Sequence, residues 1–559
     1  MHSRDGSAEE SLDTADLSWH IATGLAGRAS GRRPATAAGA IVLALIVAAG
    51  AAFAAEEIHP PVGVGEVNPD SAMVRALRGI AGEPLTLERA LDLAMGEATS
   101  LRAAEAAHEA ARATVRSESG TFDPEIFGEL SRNGLEQPAT SPFSGAAVLD
   151  QEQTVTSAGA RWYSPIGTEV TASLGSTRLE NNSSFSLINP VHNAESRLEI
   201  TQPLLRGFGP AASSELAAVR HESEAAEAGV RDARLEVRAE VEATYWELHA
   251  AERDLAVRQL LRENAAALQQ EATLRSQAGL VGPGEVAGAR GFRAEQELAV
   301  IDAEEALDRV SDRLGSWMGT RPGRELRYSP VDDPPRYDES APADSLVAWA
   351  LRSNETLAAL QKNRAAHEER LRGARWDALP GLDLFGSIGG LGLAGTGREV
   401  AFGDSVFRSS LDTGLSDSWR EALERDYATW SAGLRVSLPL GLRYGRGERD
   451  RWRAEVRRAQ ALETDARRAL EEQVRSQHRE LMHGNRRLEL SREGVEATME
   501  QVRIGLLEYR AGRSSAFELV RLAADLGAAQ QRYSQALVRT ARAAAQLRRL
   551  TGGRWPAMQ

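Results

Sequence analysis

The chain has 559 residues, 42% of them hydrophobic and 26% charged, a balance that excludes both a disordered chain and a bundle of many membrane helices. Its net charge of -14 argues against nucleic acid as a partner, because neutralising phosphates needs clustered positive charge. It contains no cysteine, which removes disulfides, thiolate metal sites, a cysteine nucleophile and the acceptor for bacterial lipidation.

The first element is a leader. Arg28, Arg32 and Arg33 precede the apolar run "PATAAGAIVLALIVAAGAAFA", and Ala52-Phe53-Ala54 offers a small-residue cleavage pattern. This reads as a secretory signal peptide over residues 1–54. The alternative is an uncleaved anchor, for which the run is nearly long enough. No later segment offers about 18 uninterrupted apolar residues, so a mature chain that spans a membrane must use β-strands.

After a Pro/Gly-bearing linker (55–84), "LTLERALDLA" opens an Ala/Arg-rich helix that Thr86 to Arg89 can start. From Pro124 the period changes to two. Ile126, Gly128 and Leu130 alternate with Glu125, Phe127 and Glu129, and similar alternation returns at Thr156–Tyr163, Glu169–Arg178 and Arg197–Gln202. Dyad segments separated by Gly/Asn/Ser/Pro loops are the signature of transmembrane barrel strands, with a soluble antiparallel sheet as the alternative. Phe122, Phe127, Trp162 and Tyr163 near strand ends fit an aromatic girdle.

From Ala211 to Ala278 the chain reads as one helix, roughly 100 Å long at 1.5 Å per residue. Val237, Val241, Thr244, Leu248, Ala251 and Leu255 keep the alternating four-and-three steps of a coiled coil. The break "RSQAGLVGPGE" (275–285) then leads into a returning helix from Val286 to Trp317. Beyond a Pro/Asp-rich linker (321–344) the order repeats: helix from Ser345, strands from Pro380, "LPLGLRYGRG", a long helix, the break "EYRAGRSSAFE" (508–518) and a last helix. Pro124 answers to Pro380, Pro203 to Pro439 and Gly279 to Gly512, which is the pattern of an internal duplication. The expected repeats are 85–320 (strands 124–203, helical hairpin 211–317) and 345–552 (strands 380–439, hairpin 447–550), with a tail at 553–559.

Four to six short strands are too few to close a transmembrane barrel, and open edges cannot face lipid, so a ring of subunits is implied. At this point the sequence resembles the TolC-like outer-membrane efflux proteins. The likeness rests on "LTLERALDLA", on the strand-to-helix junctions "ITQPLLRGFG" and "VSLPLGLRYG" around Pro203 and Pro439, and on the two breaks; it runs from about Leu85 to Gly552.

The resemblance implies a mixed α and β membrane protein, in which long antiparallel coiled-coil helices form a periplasmic α-barrel. A homotrimer with four strands per subunit would share a twelve-stranded outer-membrane β-barrel. It also implies a non-enzymatic, cofactor-free exit duct in the outer membrane of a Gram-negative type envelope, set in lipid. That duct serves an efflux or type I secretion system and is coupled through a periplasmic adaptor (membrane fusion) protein to an inner-membrane transporter of the resistance-nodulation-division, ABC or similar class. One departure is visible, since Thr156–Arg178 reads as an extra hairpin. A periplasmic coiled-coil adaptor or scaffold anchored by Ile41–Phe53 is the alternative, and it leaves the symmetric strands unexplained.

By the same resemblance the breaks are the periplasmic tips, with Gly279, Leu280, Val281, Pro283, Gly512 and Arg513 at the adaptor contact. The constriction acids fall on Glu285 and Glu518, and a third acidic position of the family is Arg521 here, expected beside carboxylates of neighbouring subunits. The plain alternative is that Glu285 and Glu518 are first-turn acids favoured by the helix dipole. Other signals carry little. "GLGLAG" (390–395) lacks the helix of a dinucleotide site and reads as a barrel loop, "GDSV" (403–406) has no histidine partner, His478 and His483 are misspaced for zinc, and there is no P-loop.

Overall fold

The structure, a computed structural model, describes residues 75–141, 144–321, 327–335 and 341–553, all within the compact unit Val67–Gln559. The expected leader (1–54) lies outside the described residues, as do parts of both linkers and most of the tail. In chain order the elements are β1 (Glu83–Leu85), α1 (Leu87–Glu97), α2 (Thr99–Ser119), β2 (Glu125–Pro138), β3 (Val148–Tyr163), β4 (Glu169–Asn181), β5 (Ile188–Pro203), α3 (Pro210–Gln277) and α4 (Pro283–Met318). There follow β6 (Tyr328–Pro330), α5 (Ala343–Ser353), α6 (Glu355–Asp377), β7 (Gly381–Gly397), β8 (Glu399–Phe402), β9 (Ser405–Arg408), β10 (Asp412–Thr413), α7 (Leu415–Glu424), β11 (Tyr427–Ser437), α8 (Arg443–Arg510) and α9 (Ala516–Leu550).

Local chemistry starts the helices where the sequence suggests. The Thr86 hydroxyl accepts from the Arg89 N–H to cap α1, and Asn354 caps α6 through the Leu357 N–H. The seam of α3 is buried as its spacing predicts: Val237, Val241, Thr244, Leu248 and Leu255 are all almost fully covered. Nearest the sheet, α3 packs between α2 and α6, and α6 packs on α8. Farther along, α3 packs on α4 and α9, and α9 on α8, so four helices lie abreast at both levels. No helix of the described residues is long and apolar enough to cross a membrane.

The main core lies midway, where β1 and β6 pair in parallel against α3. Tyr245 is fully buried, donates to the Asp332 carboxylate (2.7 Å) or the Leu85 carbonyl (2.9 Å), and packs edge-on to Trp246. One turn on, His249 is buried against Trp246, and burial, reinforced by Arg253, lowers its pKa to about 4. The imidazole is therefore neutral in the fold. A depressed folded pKa gives stability that is present above the unfolded value near 6.5 and is lost as pH falls towards 4. The shift corresponds to about 3 kcal/mol. Burial raises the nearby Glu242, Glu252 and Asp254, whose contributions run the opposite way. The histidine's share is thus best read by difference. Thermal melts from pH 7 to pH 4 should show the wild type losing more stability than a His249→Gln variant.

The sheet runs β11-β7-β5-β4-β3-β2, entirely antiparallel, with β10 continuing the β7 edge past β11. Its pleat separates two chemistries. Ile126, Leu130, Trp162, Val170, Leu174, Leu198, Ile200, Leu384, Ile388, Trp430, Leu434 and Val436 share one face, and several stay open, Ile126 at 87% and Trp430 at 78%. The other face carries Glu125, Glu129, Arg161, Glu169, Arg197, Glu199, Asp383 and Arg435.

Phe127 and Phe385 also lie on the polar face. Their rings lie over Gly159 and Gly433, and Arg161 and Arg435 cover them. Phe127 therefore does not belong to an outer girdle, whereas Trp162 stands on the apolar face and donates to the Phe122 carbonyl (3.1 Å).

Two expectations are corrected here. The resemblance implied four strands per subunit, but the sheet has six long ones, because Val148–Asn181 forms a complete hairpin paired along both flanks. "GLGLAG" is not a loop. It lies inside β7, where Gly390 and Gly392 leave room for the backbone of α7, and a Cβ at either would collide with the Ala422 or Ser418 carbonyl. "GDSV" makes the tight β8–β9 turn at Gly403.

Candidate functional site

The two breaks fold identically. Helix α3 ends at Gln277 with Ala278 as its C-cap, Gly279 adopts φ +73, its N–H bonds the Ser276 carbonyl, and the Leu280 N–H reaches back to the Arg275 carbonyl (2.9 Å). At the second break Gly512 has φ +69, its N–H bonds the Tyr509 carbonyl, and the Arg513 N–H reaches the Glu508 carbonyl (2.8 Å). This is the Schellman arrangement, which needs a left-handed residue that glycine supplies at low cost. Three residues separate each glycine from its return helix. Gly282 precedes Pro283 in one, and the Ser515 hydroxyl accepts from the Glu518 N–H in the other. Glu285 and Glu518 therefore occupy the same third position of their helices, where the dipole favours an acid.

From there their surroundings diverge. Glu285 accepts from the hydroxyl of Tyr509 on the other hairpin (3.3 Å). Glu518 pairs with Arg521 one turn on (2.5 Å), so the arginine expected beside neighbouring subunits has a partner in its own chain. Tyr509 is 1% exposed, and burial, with Glu285 adding to it, raises its hydroxyl pKa.

Arg275 completes the contact. Its guanidinium stacks over the Tyr509 ring at 4.8 Å, donates to the carbonyls of Tyr509 (3.2 Å) and Arg510 (3.1 Å), and pairs with Glu271 (2.7 Å). Those carbonyls belong to the last turn of α8, where intrahelical donors run out, and the Tyr509 carbonyl shares Arg275 with the Gly512 N–H. Beneath them Val257, Leu261, Leu268, Phe292, Val502, Leu519 and Leu526 form a continuous apolar seam between the hairpins.

The structure thus joins Glu285 to Tyr509, over whose ring Arg275 stacks, and places Glu518 with Arg521 on the second return helix. Leu280, Gly279, Gly512 and Arg513 are exposed at the turns, with Val281 half-buried. Phe517, 78% exposed beside Glu518, extends this surface and was not picked out from sequence. Its signal was an apolar residue in a helix's first turn without a neighbour to cover it. Pro203 and Pro439 lie at the far ends of α3 and α8: Pro203 closes β5, and Pro439 follows β11. Among the described residues there is no group of His, Asp and Glu able to hold a metal.

Comparison with known proteins gives a consistent result. The family model described as Outer membrane efflux protein matches residues 144–320 and 346–553. Among solved structures, the outer-membrane channel OprN aligns at TM-score 0.60 and 19% identity, covering 84% of this chain and 90% of its own. The CmeC outer membrane channel of Campylobacter jejuni aligns at 0.59 and 14%, covering 85% and 87%. The open-state MtrE outer membrane channel of Neisseria gonorrhoeae aligns at 0.58 and 16%, covering 84% and 89%. Among curated proteins none matches the sequence.

Proposed function

The chain belongs to the outer membrane efflux protein family, and from that premise we propose that three copies assemble into one passive duct across the outer membrane and into the periplasm. The protein is an outer-membrane efflux channel. The observation that carries the assembly is the two-faced sheet, whose open apolar side suits lipid and whose charged side suits a water-filled lumen. Its edges need partners in lipid, and other copies supply them. The matching Phe–Gly–Arg clusters of β2–β3 and β7–β11, and the two identical hairpin turns, support an origin by duplication.

The paired tips lie at the periplasmic mouth in this reading. Glu285, Glu518 and Arg521 line its constriction. Leu280, Val281, Arg513 and Phe517 form the surface offered to a periplasmic adaptor, behind which an inner-membrane transporter supplies the energy. Reconstitution tests the reading: detergent-solubilised protein should run as a trimer and conduct ions in planar bilayers. Recovery of the mature chain from a soluble periplasmic extract without detergent would sink it.

A further inference from the structure

We infer that the assembled barrel has eighteen strands, six from each of three copies, closed by seams in which β2 of one copy pairs antiparallel with β11 of the next. The inference rests on the trimeric reading above. The edges of the sheet are β2 and β11, and the six long strands alternate in direction. Strand β2 runs away from the helices and β11 runs back to them, so a neighbour's β11 meets β2 antiparallel. A six-stranded sheet closed on itself would be smaller than the eight-stranded minimum of natural membrane barrels.

The two edges match in chemistry as well as direction. On the apolar face β2 offers Ile126 and Leu130, and β11 offers Trp430, Leu434 and Val436. On the polar face β2 carries the acids Glu125 and Glu129, and β11 carries Arg435.

The additional hairpin is part of the wall. Strands β3 and β4 pair with each other and with β2 and β5 along their lengths. Their turn is fastened to the strand-to-helix junction, where the Gly209 N–H donates to the Ile166 carbonyl (3.0 Å) and the Thr168 hydroxyl to Gln202 (2.5 Å). Gly167, at φ +90, sits so close to the Gly207 carbonyl that a Cβ would collide with it.

Width gives an independent argument. Six strands about 4.8 Å apart and tilted by about 40° span about 38 Å of circumference. The four helices that lie abreast below them in each copy, at about 9.5 Å spacing, also span about 38 Å. Four strands would span only about 25 Å. Six strands therefore continue the helical wall without narrowing, and the lipid-embedded duct is about 1.5 times as wide as a twelve-stranded one.

The chain's lack of cysteine makes a direct test available. Cysteines replacing Ile126, Gly128 or Leu130 are combined with cysteines replacing Ala432, Leu434 or Val436, and outer membranes are oxidised. At least one of the nine pairs should give covalent dimers and trimers on a non-reducing gel, with none from single variants. In parallel, Ser173→Cys and Leu174→Cys report on β4. A membrane-impermeant maleimide should label position 173 readily and position 174 poorly. Absence of intermolecular cross-links together with a monomer in detergent overturns the trimeric reading itself. Cross-linked trimers in which positions 173 and 174 label equally overturn the eighteen-strand wall alone.

Discussion

Replacing Arg275 by alanine is expected to raise single-channel conductance several-fold in planar bilayers and to increase the fraction of time spent in the wider state. The reason is how much one side chain holds. The guanidinium meets two carbonyls at the end of α8, stacks on Tyr509 and is itself held by Glu271. Charge-assisted hydrogen bonds to such groups contribute about 1.5–3 kcal/mol each when shielded. Near the water-exposed tip the Arg510 carbonyl rehydrates and the Tyr509 carbonyl keeps the Gly512 N–H, so the loss is about 2–3 kcal/mol in all, a factor of about 30–150 in the balance between joined and parted tips.

Two companions grade the effect. Tyr509→Phe removes only the 3.3 Å bond to Glu285 and should open the channel less. Arg275→Lys keeps the charge but loses the planar stack and fork, and should fall between alanine and wild type. Because the contact lies at the ends of helices with a long apolar seam behind them, the melting temperature should hardly move. Wild-type conductance in Arg275→Ala would remove these residues from any gating role.

The contrast between what was readable and what was not follows from the range of each interaction. Seams such as Val237–Val241–Thr244–Leu248 and caps such as Thr86 are set by neighbours within a few residues, and local spacing reports them. The tips were also readable, since Gly279 and Gly512 each end a helix with a left-handed residue. Glu271 is a local partner of Arg275, but the Tyr509 ring and the Tyr509 and Arg510 carbonyls lie more than two hundred positions away, so no local pattern could single out this contact.

Strand lengths were underestimated for another reason. Beyond the apolar band β3 continues with Asp150, Glu152 and Thr154 on the face that nearer the helices carries Ala158, Ala160 and Trp162. With both faces polar there, the dyad alternation vanishes although the hydrogen-bonded ladder continues to Asn181. The glycines of β7 misled in the same direction. "GLGLAG" reads as a loop for want of a following helix, whereas the packing of α7 on a strand of low intrinsic propensity is what requires the glycines.

Charge at the proposed mouth sets the second large effect. Arg521→Glu is expected to raise the cation-to-anion permeability ratio several-fold, read as a shift in reversal potential across a salt gradient. Arg521 and Glu518 are both partly exposed, so their pairing contributes only about 0–1 kcal/mol to stability, and breaking it should leave folding intact. The ionic field in a narrow mouth is another matter. Each chain changes by two units of charge, and in the proposed trimer three chains facing one axis add their effects within a Debye length of about 10 Å at 0.1 M salt.

Arg521→Ala should shift selectivity in the same direction by a smaller amount, and Glu518→Gln should shift it the opposite way. All three shifts should shrink in 1 M salt, where screening acts within about 3 Å. Glu285→Gln makes a poorer probe, because it also weakens the contact with Tyr509 and mixes opening with selectivity. If Arg521→Glu leaves the reversal potential at its wild-type value in low salt, the Glu518–Arg521 pair lies away from the ion path, and its acid serves only the start of its helix.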